Sequence, residues 1–198
     1  MNPTIGTFLA GFRSRWGALT AAACAGPLSL QLTTSGFVAP WPGHAVATGI
    51  ATVVCAVGLL LAYQAFLRPA ASHGRLSAAG LMLSAACLLT YLGSYSTLLL
   101  TKEAALTSHG QPEDMQAIRG FVRRPEIEAS YPGDYPDRKL WEEFQYDVEP
   151  IWTASSILIA RLGFLLTYIG FFFGLTFAVA LLGAHRVRPR AKRTKRAA

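Results

Sequence analysis

Three quarters of this sequence lacks acidic residues. All 11 Asp and Glu fall between Glu103 and Glu149. Charged residues of either sign make up only 15% of the 198 residues, against roughly 25% in a soluble domain. Segments 1–100 and 151–198 together hold 12 bases and no acid, whereas 101–150 holds 11 acids and 6 bases, a net of −5. A soluble globule mixes its charges over one surface, so this segregation argues against one. It also argues against nucleic-acid binding, because the bases form short clusters rather than a groove with interleaved aromatics.

Other absences narrow the chemistry. Cysteine occurs only as Cys24, Cys55 and Cys87, all inside apolar runs. There is no Cys-x-x-Cys pair for thiol exchange, and the acidic segment has no disulfide to staple it. The four histidines are His44, His73, His109 and His185. Only His73 and His185 are expected on one membrane side, both in polar flanks, which does not suit haem ligation at matched depth. His109 and Glu113 are spaced i, i+4, but two ligands do not make a metal site. Gly93-Ser94-Tyr95-Ser96 lacks the second glycine of a nucleophile elbow. With no carboxylate inside an apolar run, proton-coupled transport and intramembrane aspartyl proteolysis lose their usual acids. No catalytic residue, metal or cofactor is expected.

What is abundant is apolar sequence, 52% of the chain. Residues 45–67, 76–100 and 162–184 carry no charge, and each is long enough to cross a hydrocarbon core of about 30 Å as a helix. A weaker run, 17–39, contains Pro27 and Gln31 and reads as a kinked span facing its neighbours. The expected fold is therefore an all-α, four-helix transmembrane bundle. Arg13, Arg15, Arg68, Arg75 and the tail 185–198, with seven Lys and Arg, put both termini and the 68–75 link in the cytoplasm by the positive-inside rule. The acidic segment 101–150 then lies outside, and the location is a bacterial inner membrane. A competing reading makes residues 1–26 a cleaved signal peptide, although its apolar part is short. Ile5, Phe8, Leu9, Phe12 and Trp16 follow helical spacing, so residues 1–16 read as an interfacial amphipathic helix. The basic tail is expected to meet anionic lipid.

The acidic segment reads as two short helices. Pro112 opens the first and Pro125 stops it, with Met115, Ile118 and Val122 as its apolar face. Tyr131-Pro132-Gly133-Asp134 is turn chemistry. The second helix runs 137–149, with Leu140, Phe144 and Val148 four apart. Segment 152–184 reads as an interfacial turn followed by the last span, with Trp152 at the membrane interface.

In that span Gly163, Thr167, Gly170, Gly174 and Ala178 form a small-residue stripe that lets another helix approach closely. The partner is either a neighbouring span or a second copy. Arg161 lies opposite the stripe, so it is expected to snorkel to lipid headgroups beside Tyr168 and Phe172, or to pair with an external carboxylate or an acidic partner subunit.

Gly120-Phe121-Val122-Arg123-Arg124-Pro125-Glu126, then residues Tyr146-Asp147-Val148-Glu149-Pro150-Ile151-Trp152-Thr153-Ala154-Ser155-Ser156, then Arg161 and an aromatic-rich span, resemble small membrane modules of bacterial conflict (antiphage defence) systems. The resemblance covers about 40 residues and implies a membrane sensor or effector working with a cytoplasmic partner. It points to Arg123, Arg124, Tyr146, Asp147 and Trp152 as signal or partner contacts. The expected function is a non-enzymatic, oligomeric membrane sensor or effector. The alternatives are an accessory subunit of a larger membrane complex and an enzyme acting on lipid headgroups through external carboxylates and Arg161. Membrane lipids, further copies or a partner protein are the expected partners, and nucleic acid is not.

Overall fold

The structure, a computed structural model, describes residues 44–67, 70–102, 115–131 and 133–187. The expected amphipathic helix 1–16, the first span 17–39 and nearly all of the basic tail lie outside these residues. The chain is mostly helical, in the order α1 (His44–Phe66), α2 (Ala70–Leu98), β1 (Leu99–Lys102), β2 (Met115–Ile118), α3 (Pro125–Ser130), α4 (Asp137–Glu143) and α5 (Ala154–Val187). Val46–Phe66, Ser72–Leu98 and Ala154–Ala184 are each long and apolar enough to cross a membrane. At 1.5 Å per residue even the shortest covers about 30 Å. Val53, Leu60, Met82, Leu89 and Leu166 stand largely exposed on these helices. Lipid tails suit such side chains as well as a protein core does.

The described residues form two compact units, and α1, α2 and α5 each contribute a segment to both. The first unit comprises 49–67, 70–86 and 170–187. Here α2 and α5 cross on small residues. A Cβ on Gly174 would lie 2.7 Å from the Gly80 carbonyl oxygen and 2.9 Å from the Ser84 nitrogen. A Cβ on Gly80 would meet Phe177, Ala178 and the Gly174 carbonyl at 3.0–3.1 Å. The close approach lets Ser77 Oγ donate to the Ala178 carbonyl at 3.2 Å and Ser84 Oγ to that of Phe171 at 3.0 Å. On α1, Gly58 leaves room for the Phe173 ring, and Thr176 Oγ1 donates to Cys55 Sγ at 3.4 Å. Ala65, Phe66, Leu181 and Ala184 close one end of this unit. His73 is not in a polar flank. It is buried and stacked on Phe66, with ring centroids 5.8 Å apart. Cys55 and Cys87 are free thiols.

The second unit comprises 44–48, 87–102, 115–131 and 133–169. Tyr91 on α2 meets Phe164 and Tyr168 on α5, with centroids 5.6 and 6.2 Å apart. Beyond this aromatic contact the chain builds a cap. α2 passes directly into β1, which pairs antiparallel with β2 in the register Leu99↔Ile118 to Lys102↔Met115. The expected helix through Met115, Ile118 and Val122 is therefore a strand where it is described. The backbone pairing continues through Arg119 N–H, which donates to Leu98 O at 3.0 Å. Gly120 then presses its bare Cα against Trp152 and Ser156, where a Cβ would overlap both side chains. Pro125 opens a helix rather than ending one, since a proline ring suits the first turn.

The second expected helix is real but ends at Glu143 rather than 149. Gln145 and Tyr146 follow with φ of 53° and 67°. These two left-handed residues turn the chain back so that Tyr146 N–H donates to the Trp141 carbonyl at 2.8 Å. Leu140, Trp141, Val148, Ile151, Trp152 and Ile157 form the buried core of the cap, with Leu100, Ala117 and Ile127 around it. The apolar positions expected to pack helix on helix thus pack between the hairpin, the short helices and the first turn of α5.

Candidate functional site

The cap is organised around one carboxylate. Asp137 opens α4, and its Oδ1 accepts from Arg123 Nη2 at 2.5 Å and Nε at 3.1 Å. Its Oδ2 pairs with the Arg119 guanidinium. Arg123 Nη2 also donates to the Tyr135 carbonyl at 2.7 Å, and Nη1 to that of Tyr131 at 3.3 Å. Only 11% of the Arg123 side chain is exposed. One guanidinium therefore fastens the turn between α3 and α4, using its planar fork of donors.

Arg119 reaches in the other direction. Its Nε donates to the Thr97 carbonyl at 2.8 Å, in the last turn of α2. Cations are favoured at a helix C-terminus, where carbonyls are unpaired. Burial, and then the nearby Arg123 charge, pull the Arg119 guanidinium below its usual pKa. An arginine so placed remains a cation at physiological pH. A cavity of about 330 Å³ opens here, lined by Leu98, Arg119, Phe121, Arg123, Glu128 and Asp137 among others.

The sequence 122–124 lies antiparallel to 151–153. Arg124 N–H donates to Ile151 O at 2.9 Å, Thr153 N–H donates to Val122 O at 3.0 Å, and Arg123 bridges Trp152. Residues 122–124 and 151–153 thus form one short backbone ladder at the start of α5. Trp152 is buried beneath this ladder rather than placed as a membrane-interface anchor. Tyr146 packs edge-on against Trp141, with centroids 5.1 Å apart. Asp147 Oδ1 accepts from the Glu149 N–H at 3.0 Å. Of the five expected contact residues, Arg124 and Asp147 are exposed, whereas Arg123, Tyr146 and Trp152 are engaged inside the cap.

The small-residue stripe divides. Gly174 and Ala178 meet α2 of the same chain, which is the neighbouring-span option. Gly163 has nothing within 4 Å of a Cβ, and Thr167 bonds its own helix at the Gly163 carbonyl. In the cap-side half of α5 the buried stripe is instead Ile157, Ala160, Phe164 and Tyr168. Tyr168 and Phe172 are buried rather than lipid-facing. Arg161, four residues after Ile157 and seven before Tyr168, shares that inward stripe. It is half-buried and lines a second cavity, of about 290 Å³, with Arg124, Glu149, Ala154, Ile157 and Leu158.

Among the described residues no group of three or more His, Cys, Asp or Glu could hold a metal ion. The residues that sequence reasoning missed are Arg119 and Asp137, since nothing in their spacing announces that they meet. Three helices long and apolar enough to cross a membrane, carrying a small polar cap, define the class of protein. No protein-family model, no curated protein and no solved structure matches this chain.

Proposed function

We propose that this chain is a non-enzymatic integral membrane sensor or effector of a bacterial inner membrane, with the cap outside and both termini cytoplasmic. One observation carries the reading. Arg119 bonds the last turn of α2 and the carboxylate that holds the cap together, and it does so in the wall of a cavity. A ligand that competes for Arg119 or Asp137 loosens or tightens the hold on the end of a span. That is the differential interaction a switch requires. The defence-module resemblance is consistent with this role and implies a cytoplasmic partner.

The test is expression of the full chain in bacteria with a potential-sensitive dye. An effector depolarises the cells, and Arg119→Gln, which loses the Thr97 and Asp137 contacts, changes that response. Undisturbed potential with wild type and variant alike refutes the proposal.

A second reading, an accessory subunit of a larger membrane complex, is favoured by Phe121 and Val122. These two apolar residues are 58% and 56% exposed on the cap, where lipid does not cover them if the cap stands clear of the bilayer. It predicts recovery in fixed stoichiometry with other membrane chains, lost on Phe121→Ser.

A further inference from the structure

The second cavity has a composition that the sensing role does not use. Arg124 enters it from the cap and Arg161 from the membrane-spanning helix. Among the described residues Arg161 has no ion-pair partner, and Arg124 has only a long bond, 3.4 Å, from Nε to the Trp152 carbonyl. Among the described residues most of their guanidinium donors are therefore uncommitted. Ala154, the first residue of α5, is in the same wall, and a helix N-terminus adds partial positive charge. Glu149 supplies the one negative charge, leaving the lining at a net of +1. Ile157 and Leu158 make the apolar side, and Leu158 is half-exposed on the surface of the span.

Depth decides what such a lining meets. Arg161 immediately precedes the charge-free run 162–184, whose 23 residues measure about 35 Å as a helix, close to the thickness of the hydrocarbon core. With that charge-free run filling the hydrocarbon, Arg161, which lies within the apolar helix Ala154–Ala184, falls at the level of lipid phosphates on the cap side. Two guanidiniums are suited to the oxygens of a phosphate, and Leu158 offers a surface for the first methylenes of an acyl chain.

We infer that Arg124 and Arg161 form a site for the phosphodiester of an anionic membrane phospholipid at the foot of the cap. The net charge of the lining favours a headgroup of net −1 over a zwitterionic one. The site holds the lipid without chemistry, and it stands whether or not the cap senses a signal.

Native mass spectrometry of the full-length protein in detergent tests this, with phosphatidylglycerol, phosphatidylcholine and inorganic phosphate as probes. Phosphatidylglycerol should be retained in preference to phosphatidylcholine, and inorganic phosphate at the same concentration should not displace it. Arg161→Gln and Arg124→Gln should each weaken retention by about tenfold, which corresponds to about 1.4 kcal/mol. Arg138→Gln removes an exposed arginine elsewhere on the cap and should change retention by less than about twofold, because a distant surface charge is screened. Glu149→Gln should tighten binding by removing a like charge. Equal retention of the two lipids by the wild-type protein overturns the site without reference to any variant. Displacement by inorganic phosphate overturns the lipid assignment. Losses in both arginine variants no larger than with Arg138→Gln show only general surface attraction and also overturn it.

Discussion

Replacing Gly174 by alanine tests the central crossing of the helix bundle. The added Cβ would stand 2.7 Å from the Gly80 carbonyl oxygen and 2.9 Å from the Ser84 nitrogen. Both are backbone atoms, so no side chain can swing aside. Restoring ordinary contact at about 3.4 Å means separating α2 and α5 by several tenths of an ångström at this point. Overpacking of this kind costs about 1–3 kcal/mol. The separation also stretches the Ser77 and Ser84 bonds to Ala178 and Phe171, now 3.2 and 3.0 Å. Interhelical bonds in membranes are worth about 0.6 kcal/mol each, so Gly174→Ala should cost about 2–4 kcal/mol in all. Reversible unfolding in mixed detergent micelles measures this directly. Gly163→Leu is the companion variant, because its Cβ meets nothing. It should leave the unfolding midpoint unchanged, and it reduces self-association if a second copy uses that face. A Gly174→Ala protein as stable as wild type but altered in oligomeric state would refute the intramolecular crossing.

Asp137→Ala should destabilise the cap by about 2–4 kcal/mol, less than the full penalty for a deeply buried pair because Asp137 remains 18% exposed. Faster amide exchange across β1 and β2, with α1 unaffected, is the expected signature. Gln145→Gly should stabilise the cap by roughly 0.5–1 kcal/mol, since the exposed glutamine holds a left-handed φ of 53° that glycine adopts freely. Thermal melts followed through tryptophan fluorescence would reveal it. The Tyr135 hydroxyl donates to Glu143, and that bond raises the Tyr135 pKa above its usual 10. A phenol raised in the folded state contributes stability that is fully present below pH 10 and is lost as pH rises through the folded value. Ultraviolet titration should show Tyr135 ionising late in wild type and nearer pH 10 in Glu143→Ala.

How much of this was legible in the sequence differs between the spans and the cap. Residues 45–67, 76–100 and 162–184 declare themselves, because any such charge-free stretch must satisfy its backbone internally in lipid and does so as a helix. The cap misled in specific places. Met115, Ile118 and Val122 match a helix by spacing, yet Met115–Ile118 is a strand, because pairing with the end of α2 and β1 outweighs local periodicity. The stop at Glu143 comes from two non-glycine residues in a left-handed conformation, which no turn motif announces.

Charge segregation, the apolar runs and the small-residue stripe were fixed by the amino-acid sequence alone, since each depends only on which residues neighbour which along the chain. Which side of α5 is buried was decided by tertiary structure. Tyr91 packs with Phe164 and Tyr168, and that aromatic contact turns Arg161 inward, contrary to the expectation drawn from the glycines. The meeting of Arg119 and Arg123 on Asp137, and of Arg124 with Arg161, likewise joins residues 14 to 37 positions apart. Such distances are set by how the chain folds back, and no local spacing encodes them.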